Sequence, residues 1–363
     1  MFRNVFSLAF LLILFSTNSY ADGEISGVAG VNLWSVPDTS TRYLPNYNTP
    51  RTWHEVSEFI KVKGSYSIDN VTLSGAAKFD SNNGHRIDRL DIDYKFNNAV
   101  GIRAGLLPYR ISWCRTYEFN SPWISEPDAF CRFYGLAEIS EGSSGVQVYS
   151  SSVQSKYLVD GMIGYYNPMI DGQDKKLGPY IPVGPTVYHE KYGASINILD
   201  LSSGLEIRAS WLHSQQNQDS SSGSFQRRLN YETFYLASEF TPASHLDIRA
   251  SISAYIGQQG NPVNLYDFTG ISSTLEASYK VDEYQTLSLG LSNYSNTTIY
   301  KNSPGKEQTL DVPSMSLSYR RELPKDFYLT LQVTHSKDTY IKITNDQAVS
   351  SGSAFGLQIA KQF

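Results

Sequence analysis

From residue 59 onward, apolar and polar residues alternate with a period of two, and turn residues interrupt the alternation after roughly ten positions. Ile60, Val62, Gly64, Tyr66 and Ile68 fall on one face, with Lys61, Lys63, Ser65 and Ser67 on the other. Asp69-Asn70 turns the chain, and Val71, Leu73, Gly75, Ala77 and Phe79 resume the apolar face. Leu90, Ile92, Tyr94 and Phe96 then oppose Arg89, Asp91, Asp93 and Lys95. Successive side chains of a strand point to opposite sides, so each stretch reads as a strand with one apolar and one polar face. A soluble sandwich would bury the apolar face in a core, whereas a membrane barrel would turn it to lipid and line a lumen with the other. Alternation alone does not separate these two.

Connection lengths do. The pattern predicts sixteen strands, near 23–34, 58–68, 71–80, 87–96, 99–107, 145–152, 156–166, 189–199, 204–213, 230–240, 245–256, 270–281, 284–293, 310–320, 327–335 and 350–363. The connections at 35–57, 81–86, 108–144, 167–188, 214–229, 257–269, 294–309 and 336–349 are longer than those that alternate with them. Outer-membrane barrels have an even strand number, long extracellular loops and short periplasmic turns. A sandwich has no reason to sort its loops by parity. The expected fold is therefore all-β: a transmembrane antiparallel β-barrel of about 16 strands.

The amino terminus agrees with export. Arg3 supplies a positive charge, Val5 to Phe15 are almost continuously apolar, and Ser19-Tyr20-Ala21 places small residues at positions −3 and −1 of a cleavage site. Residues 1–21 are read as a cleaved signal peptide and 22–363 as one barrel domain. No later stretch approaches the roughly 20 apolar residues of a membrane helix. The 26 tyrosines suit interfacial girdles. With 30 Lys+Arg against 35 Asp+Glu, no basic excess points to nucleic acid.

Cys114 and Cys131 are the only cysteines. In an exported protein an even pair reads as a disulfide, here a staple within the third long loop. Loop-closure entropy puts its constraint at about 3 kcal/mol. No Gly-rich phosphate loop or zinc-ligand cluster appears, so neither a cofactor nor a metal is expected. Among the histidines, His213-Ser214 and His335-Ser336 place a hydroxyl beside an imidazole. Strand neighbours point to opposite faces, so neither pair makes a dyad, and an enzyme is not expected.

At the carboxyl end, Phe355, Leu357, Ile359 and Phe363 occupy alternate positions and the chain stops on an aromatic. This resembles the last strand of Gram-negative outer-membrane proteins, where the final Phe serves as the signal to the barrel-assembly machinery. Lys361 interrupts the apolar face near the interface, where a lysine can snorkel. Strand number and loop parity together resemble the sixteen-stranded general diffusion porins. That resemblance implies a homotrimer embedded in outer-membrane lipid and lipopolysaccharide, passing small hydrophilic solutes without energy input. It also implies that the third long loop, Pro108 to Ser144, folds into the lumen.

The loop's composition suits that role. Acidic Glu118, Glu126, Asp128, Glu138 and Glu141 sit with Arg110, Arg115 and Arg132 among Trp113, Tyr117, Trp123, Phe130 and Phe133. Lumen parity on the strands carries Lys61, Lys63, Arg89 and Arg103, then Arg208 and Arg249. With Arg110 these would form a basic wall facing an acidic loop, a transverse field suited to small polar solutes. Alternatively, the arginines hydrate the interior and pair with Asp91, Asp93, Glu206 and Asp247. Trp113, Tyr117 and Trp123 could form a slide for sugar rings or simply pack the loop on the wall. Trp34, Trp53 and Trp211 read as interfacial anchors or loop packing. A sugar- or anion-selective channel and a non-conducting receptor or adhesion barrel remain alternatives on the same scaffold.

Overall fold

The computed structural model describes residues 22–36, 53–81, 84–107, 121–124, 143–166, 186–219, 226–260, 265–301, 307–341 and 347–363. The signal-peptide reading of residues 1–21 lies outside them. The strands are β1 (Asp22–Val36), β2 (Trp53–Ile68), β3 (Val71–Asp80), β4 (Gly84–Lys95), β5 (Val100–Leu107), β6 (Ser143–Gln154), β7 (Tyr157–Tyr166) and β8 (Thr186–Asp200). They continue as β9 (Glu206–Asp219), β10 (Gln226–Ala243), β11 (Leu246–Gly260), β12 (Leu265–Lys280), β13 (Gln285–Tyr300), β14 (Glu307–Leu323), β15 (Phe327–Ile341) and β16 (Gln347–Gln362). Each pairs antiparallel with its neighbours, and β1 pairs with β16 to close a sixteen-stranded barrel.

Closure leaves no unpaired sheet edge, which lipid would leave without hydrogen bonds. The seam runs from Ser35 opposite Phe355 to Val28 opposite Gln362, and the last residue extends it. Phe363 N–H donates to the Gly27 carbonyl at 2.9 Å, and Gly27 N–H donates to the Phe363 carbonyl at 2.7 Å. The Phe363 ring lies where a β-carbon at Gly27 would be, 2.4 Å from its nearest atom. Only a glycine admits the ring there.

The two faces separate as the alternation requires. Ile271, Leu275, Leu287, Leu289, Leu291, Leu317, Leu331 and Ile359 are exposed, on the odd positions of β12 to β16. Even positions of the same strands carry buried Ser272, Thr274, Glu276, Ser288, Ser316, Ser318, Arg320, Gln332 and Gln358. An outward apolar band with a polar interior is the inverse of a soluble sandwich and suits lipid.

Strand bounds differ from the sequence reading chiefly at one rim. β10 runs Gln226–Ala243 against the expected 230–240, and β13 runs Gln285–Tyr300 against 284–293. The added residues, such as Asn296 to Thr298, are polar on both faces, so the ladder continues where the alternation has ended. Consequently only 81–83 and 261–264 separate their strands on that side, while 37–52, 108–142 and 167–185 remain between strands. The opposite rim carries tight turns. Asp69, Ser155, Lys325 and Asp326, the described non-glycine residues with positive φ, all lie in them.

One inner sector is packed rather than open. Tyr231, Tyr255, Phe268, Tyr294 and Val312 form a buried apolar cluster on the inner face of β10 to β14, with Tyr266 and Leu310 against it. Tyr255 and Tyr294 share a hydroxyl–hydroxyl bond of 2.7 Å, so each phenol is satisfied without water. Tyr255 lies flat over Gly270, where a β-carbon would come within 1.8 Å of the ring.

Candidate functional site

The chain between β5 and β6 begins at 108, and its described part, Ser121–Ile124, lies against the inner wall on the far side of the barrel. Every fixed contact uses an inward position. Trp123 Nε1 donates to Glu276 Oε2 of β12 at 3.0 Å, and the Ile124 amide donates to Gln332 Oε1 of β15 at 2.8 Å. On β14, Arg320 Nη1 donates to the Ser121 carbonyl at 2.9 Å, and the Ser318 hydroxyl donates to the Pro122 carbonyl. Trp34 of β1 covers Gly356 of β16, and Ile124 meets it: a β-carbon at Gly356 would lie 2.9 Å from the indole and 3.1 Å from Ile124 Cδ1.

This arrangement answers a backbone problem. An irregular segment inside a barrel must satisfy its peptide groups on the wall or in water. Two carbonyls and one amide of this short segment find wall side chains. Trp123 is 5% exposed and its N–H is bonded, so its ring packs the segment rather than presenting a face to passing solutes. For this residue the packing alternative holds. Trp113, Tyr117, Phe130 and Phe133 lie outside the described residues, as do Glu118, Glu126, Asp128, Glu138, Glu141 and Arg110. Cys114 and Cys131 lie outside them too.

The strand members of the expected basic wall all occupy inward positions. The arginines sit beside carboxylates. Arg89 bonds Asp91, through Nη2 at 3.0 Å and through Nε. Arg103 reaches Asp93 at 2.7 Å and Asp91 at 3.3 Å, and its guanidinium lies over the Tyr149 ring. Tyr149 donates in turn to Asp93 at 2.6 Å. Arg249 pairs with Glu239 at 2.7 Å, and Arg208 with Glu206 at 3.8 Å. Asp247, expected as a partner, instead accepts from Thr241 at 2.8 Å. Lys61 of β2 stands directly across from Lys78 of β3.

Sequence reasoning missed Glu276, Gln332, Ser318 and Arg320 as contacts of the third loop. Their inward parity was readable, since Glu276 lies between outward Leu275 and Ala277. What no local pattern carries is that a segment over 150 positions earlier reaches them. The histidines behave as parity requires. His213 faces outward and bonds Glu232 at 2.6 Å, while Ser214 is buried inward. Trp211, on the same outer face, donates to Glu232 at 2.6 Å. Among the described residues no group of three or more His, Cys, Asp or Glu forms a metal site.

No protein-family model matches the sequence, and no curated relative matches it. Solved structures do match in fold. An OmpF of Salmonella typhi, in complex with daunomycin, aligns at TM-score 0.60 and 11% identity over 95% of this chain and 98% of its own. OmpT of Vibrio cholerae, an outer membrane protein in a trimer form, aligns at 0.59 and 13% over 95% and 100%. The anion-selective porin of Comamonas acidovorans aligns at 0.57 and 13% over 94% and 100%. The fold is that of the outer-membrane porins. At these identities the likeness concerns the barrel and its strand order, not the residues that line it, and the proteins it resembles reside in outer membranes.

Proposed function

We propose that the chain forms a water-filled channel in a Gram-negative outer membrane, through which small hydrophilic solutes diffuse passively. The observation that carries this reading is Ser121–Ile124, held inside a closed barrel by Glu276, Ser318, Arg320 and Gln332. A segment fixed to the wall at four points narrows a lumen without needing to move for each solute. The inward charges favour water over a dry interior. Structures with the same fold are described as porins or channels, and one as a trimer, which supports a homotrimer here. On this reading the rest of Pro108–Ser144, with Glu118, Glu126, Asp128, Glu138 and Glu141, presents its carboxylates to the lumen. A Cys114–Cys131 disulfide staples it, the 37–52 and 167–185 rim is extracellular, and Phe363 directs assembly.

The test is reconstitution into a planar bilayer. Stepwise conductance that is stable at low voltage is expected. A folded, heat-modifiable barrel that gives no steps, and admits no sugars into liposomes, overturns the channel in favour of a receptor whose lumen is closed.

A further inference from the structure

We infer that the outer face of β8 to β10 holds the primary ammonium of a lipid headgroup at the Tyr192 ring, with Glu190 and Glu232 on either side; this goes beyond the channel reading and stands whether or not the barrel conducts. Height on the barrel comes first. Toward the turns, the outward residues of these strands are apolar and exposed, as in Ile196 of β8, Ile207 of β9, and Phe234 and Leu236 of β10. Toward the rim of long connections they become polar, with Glu190, Gln215 and Asn230 in one cross-strand row. Tyr192, His213 and Glu232 form the row next to it on the turn side. These two rows lie where an apolar band gives way to headgroups.

The second step is what the patch contains. Glu232 accepts from Trp211 Nε1 and bonds His213 Nδ1, both at 2.6 Å, and its side chain is still 39% exposed. Glu190 accepts from the Tyr192 hydroxyl at 3.4 Å. Among the described residues, neither carboxylate has an ion pair with a lysine or arginine. Lys301 of β13, on the same outer face, pairs instead with Asp267 at 3.1 Å. Tyr192 stands between the two carboxylates and packs in both directions, its ring 5.1 Å from that of Tyr165 and 6.1 Å from the His213 imidazole. Interfacial Tyr and Trp are the ordinary girdle of a barrel. Carboxylates are not, because charge on the lipid face is costly unless a counter-charge meets it. The phosphates of lipid headgroups repel these carboxylates, so the part of a headgroup that fits here is its cation. A primary ammonium satisfies both components of the patch. Its N–H groups donate to the carboxylates in charge-assisted bonds, and the tyrosine faces attract its charge.

Native mass spectrometry of the folded barrel, extracted from vesicles of equal phosphatidylethanolamine and phosphatidylglycerol with a chelator present, tests this. The wild-type chain is expected to retain phosphatidylethanolamine over phosphatidylglycerol several-fold. Glu190→Gln with Glu232→Gln is expected to bring that ratio close to one, and each single variant to move it part of the way. Tyr192→Leu, which keeps both carboxylates, is expected to lower it as well. His335→Gln, at the outer face of β15 beside Ser353, is expected to leave it unchanged. Equal retention of the two lipids by the wild type overturns the inference, and so does a double variant that keeps the wild-type ratio. A preference for phosphatidylglycerol that arises only when magnesium replaces the chelator also overturns it, assigning the carboxylates to a divalent cation. Conductance measured on the same preparation keeps the two readings apart, since its absence overturns the channel and leaves the lipid ratio to decide this inference. If the double variant does not fold, the wild-type ratio and the single variants still decide.

Discussion

Trp123 ties Ser121–Ile124 of the third loop to the wall. Its indole N–H donates to a carboxylate that is itself buried, and hydrogen bonds to charged groups contribute about 1.5–3 kcal/mol. Trp123→Phe removes the donor while retaining an aromatic ring. The segment keeps the bonds from Gln332, Ser318 and Arg320, so it should stay inside the barrel but move more. Greater open-channel noise with a lowered unfolding temperature is the expected result. Equal noise in Trp123→Phe and wild type would mean that the Glu276 bond does not restrain the segment. Residue-scale legibility divides at this point. Parity places Lys61, Lys63, Arg89, Arg103, Arg208 and Arg249 on the inner face, because a strand has only two sides. It did not reveal which arginines are neutralised. Arg249 takes Glu239, a cross-strand partner fixed by register, rather than Asp247, its neighbour two positions away on the same strand.

At the scale of elements, the sequence showed what lipid sees. Strands were recognised where outward residues are apolar, as in Leu287, Leu289 and Leu291, and were lost where β13 continues through Ser295 and Thr297. A strand with two polar faces has no alternation to detect, although its ladder is intact. The packing of rings over glycines was equally hidden. Gly270 reads as a weak point in a strand, yet it is the seat of Tyr255. Gly270→Ala would drive a methyl group into that ring and should cost about 1–3 kcal/mol, as overpacking does. Pairing it with Tyr255→Leu, which vacates the seat, should recover part of the loss. Urea unfolding midpoints in lipid vesicles would show it, and an additive double variant would mean that the two positions do not clash.

For the whole molecule, the mismatch between strand length and apolar band implies that the barrel stands proud of the bilayer on one side. β13 has 16 residues. At about 3.3 Å per residue and a tilt near 40°, such a strand spans roughly 40 Å along the barrel axis, against an apolar band of about 25 Å. Tyr279, Tyr284, Tyr319 and Phe327 stand at the turn-side end, where outer-membrane barrels carry an aromatic girdle at the interface, and this assigns the excess to the other rim. The outward polar residues collect there: Glu232 with His213, and Asp267 with Lys301 at 3.1 Å. Charged groups belong in water or among headgroups, since the lipid face penalises them near the midplane. Cysteines introduced singly at Leu289 and Thr297, with Cys114→Ser and Cys131→Ser to remove the native thiols, separate the two zones. In proteoliposomes a charged maleimide should label Thr297→Cys readily and Leu289→Cys hardly at all, with both labelled in denaturant. Comparable protection at the two positions would place β13 within the bilayer along its whole length and remove the physical reason for its missing alternation.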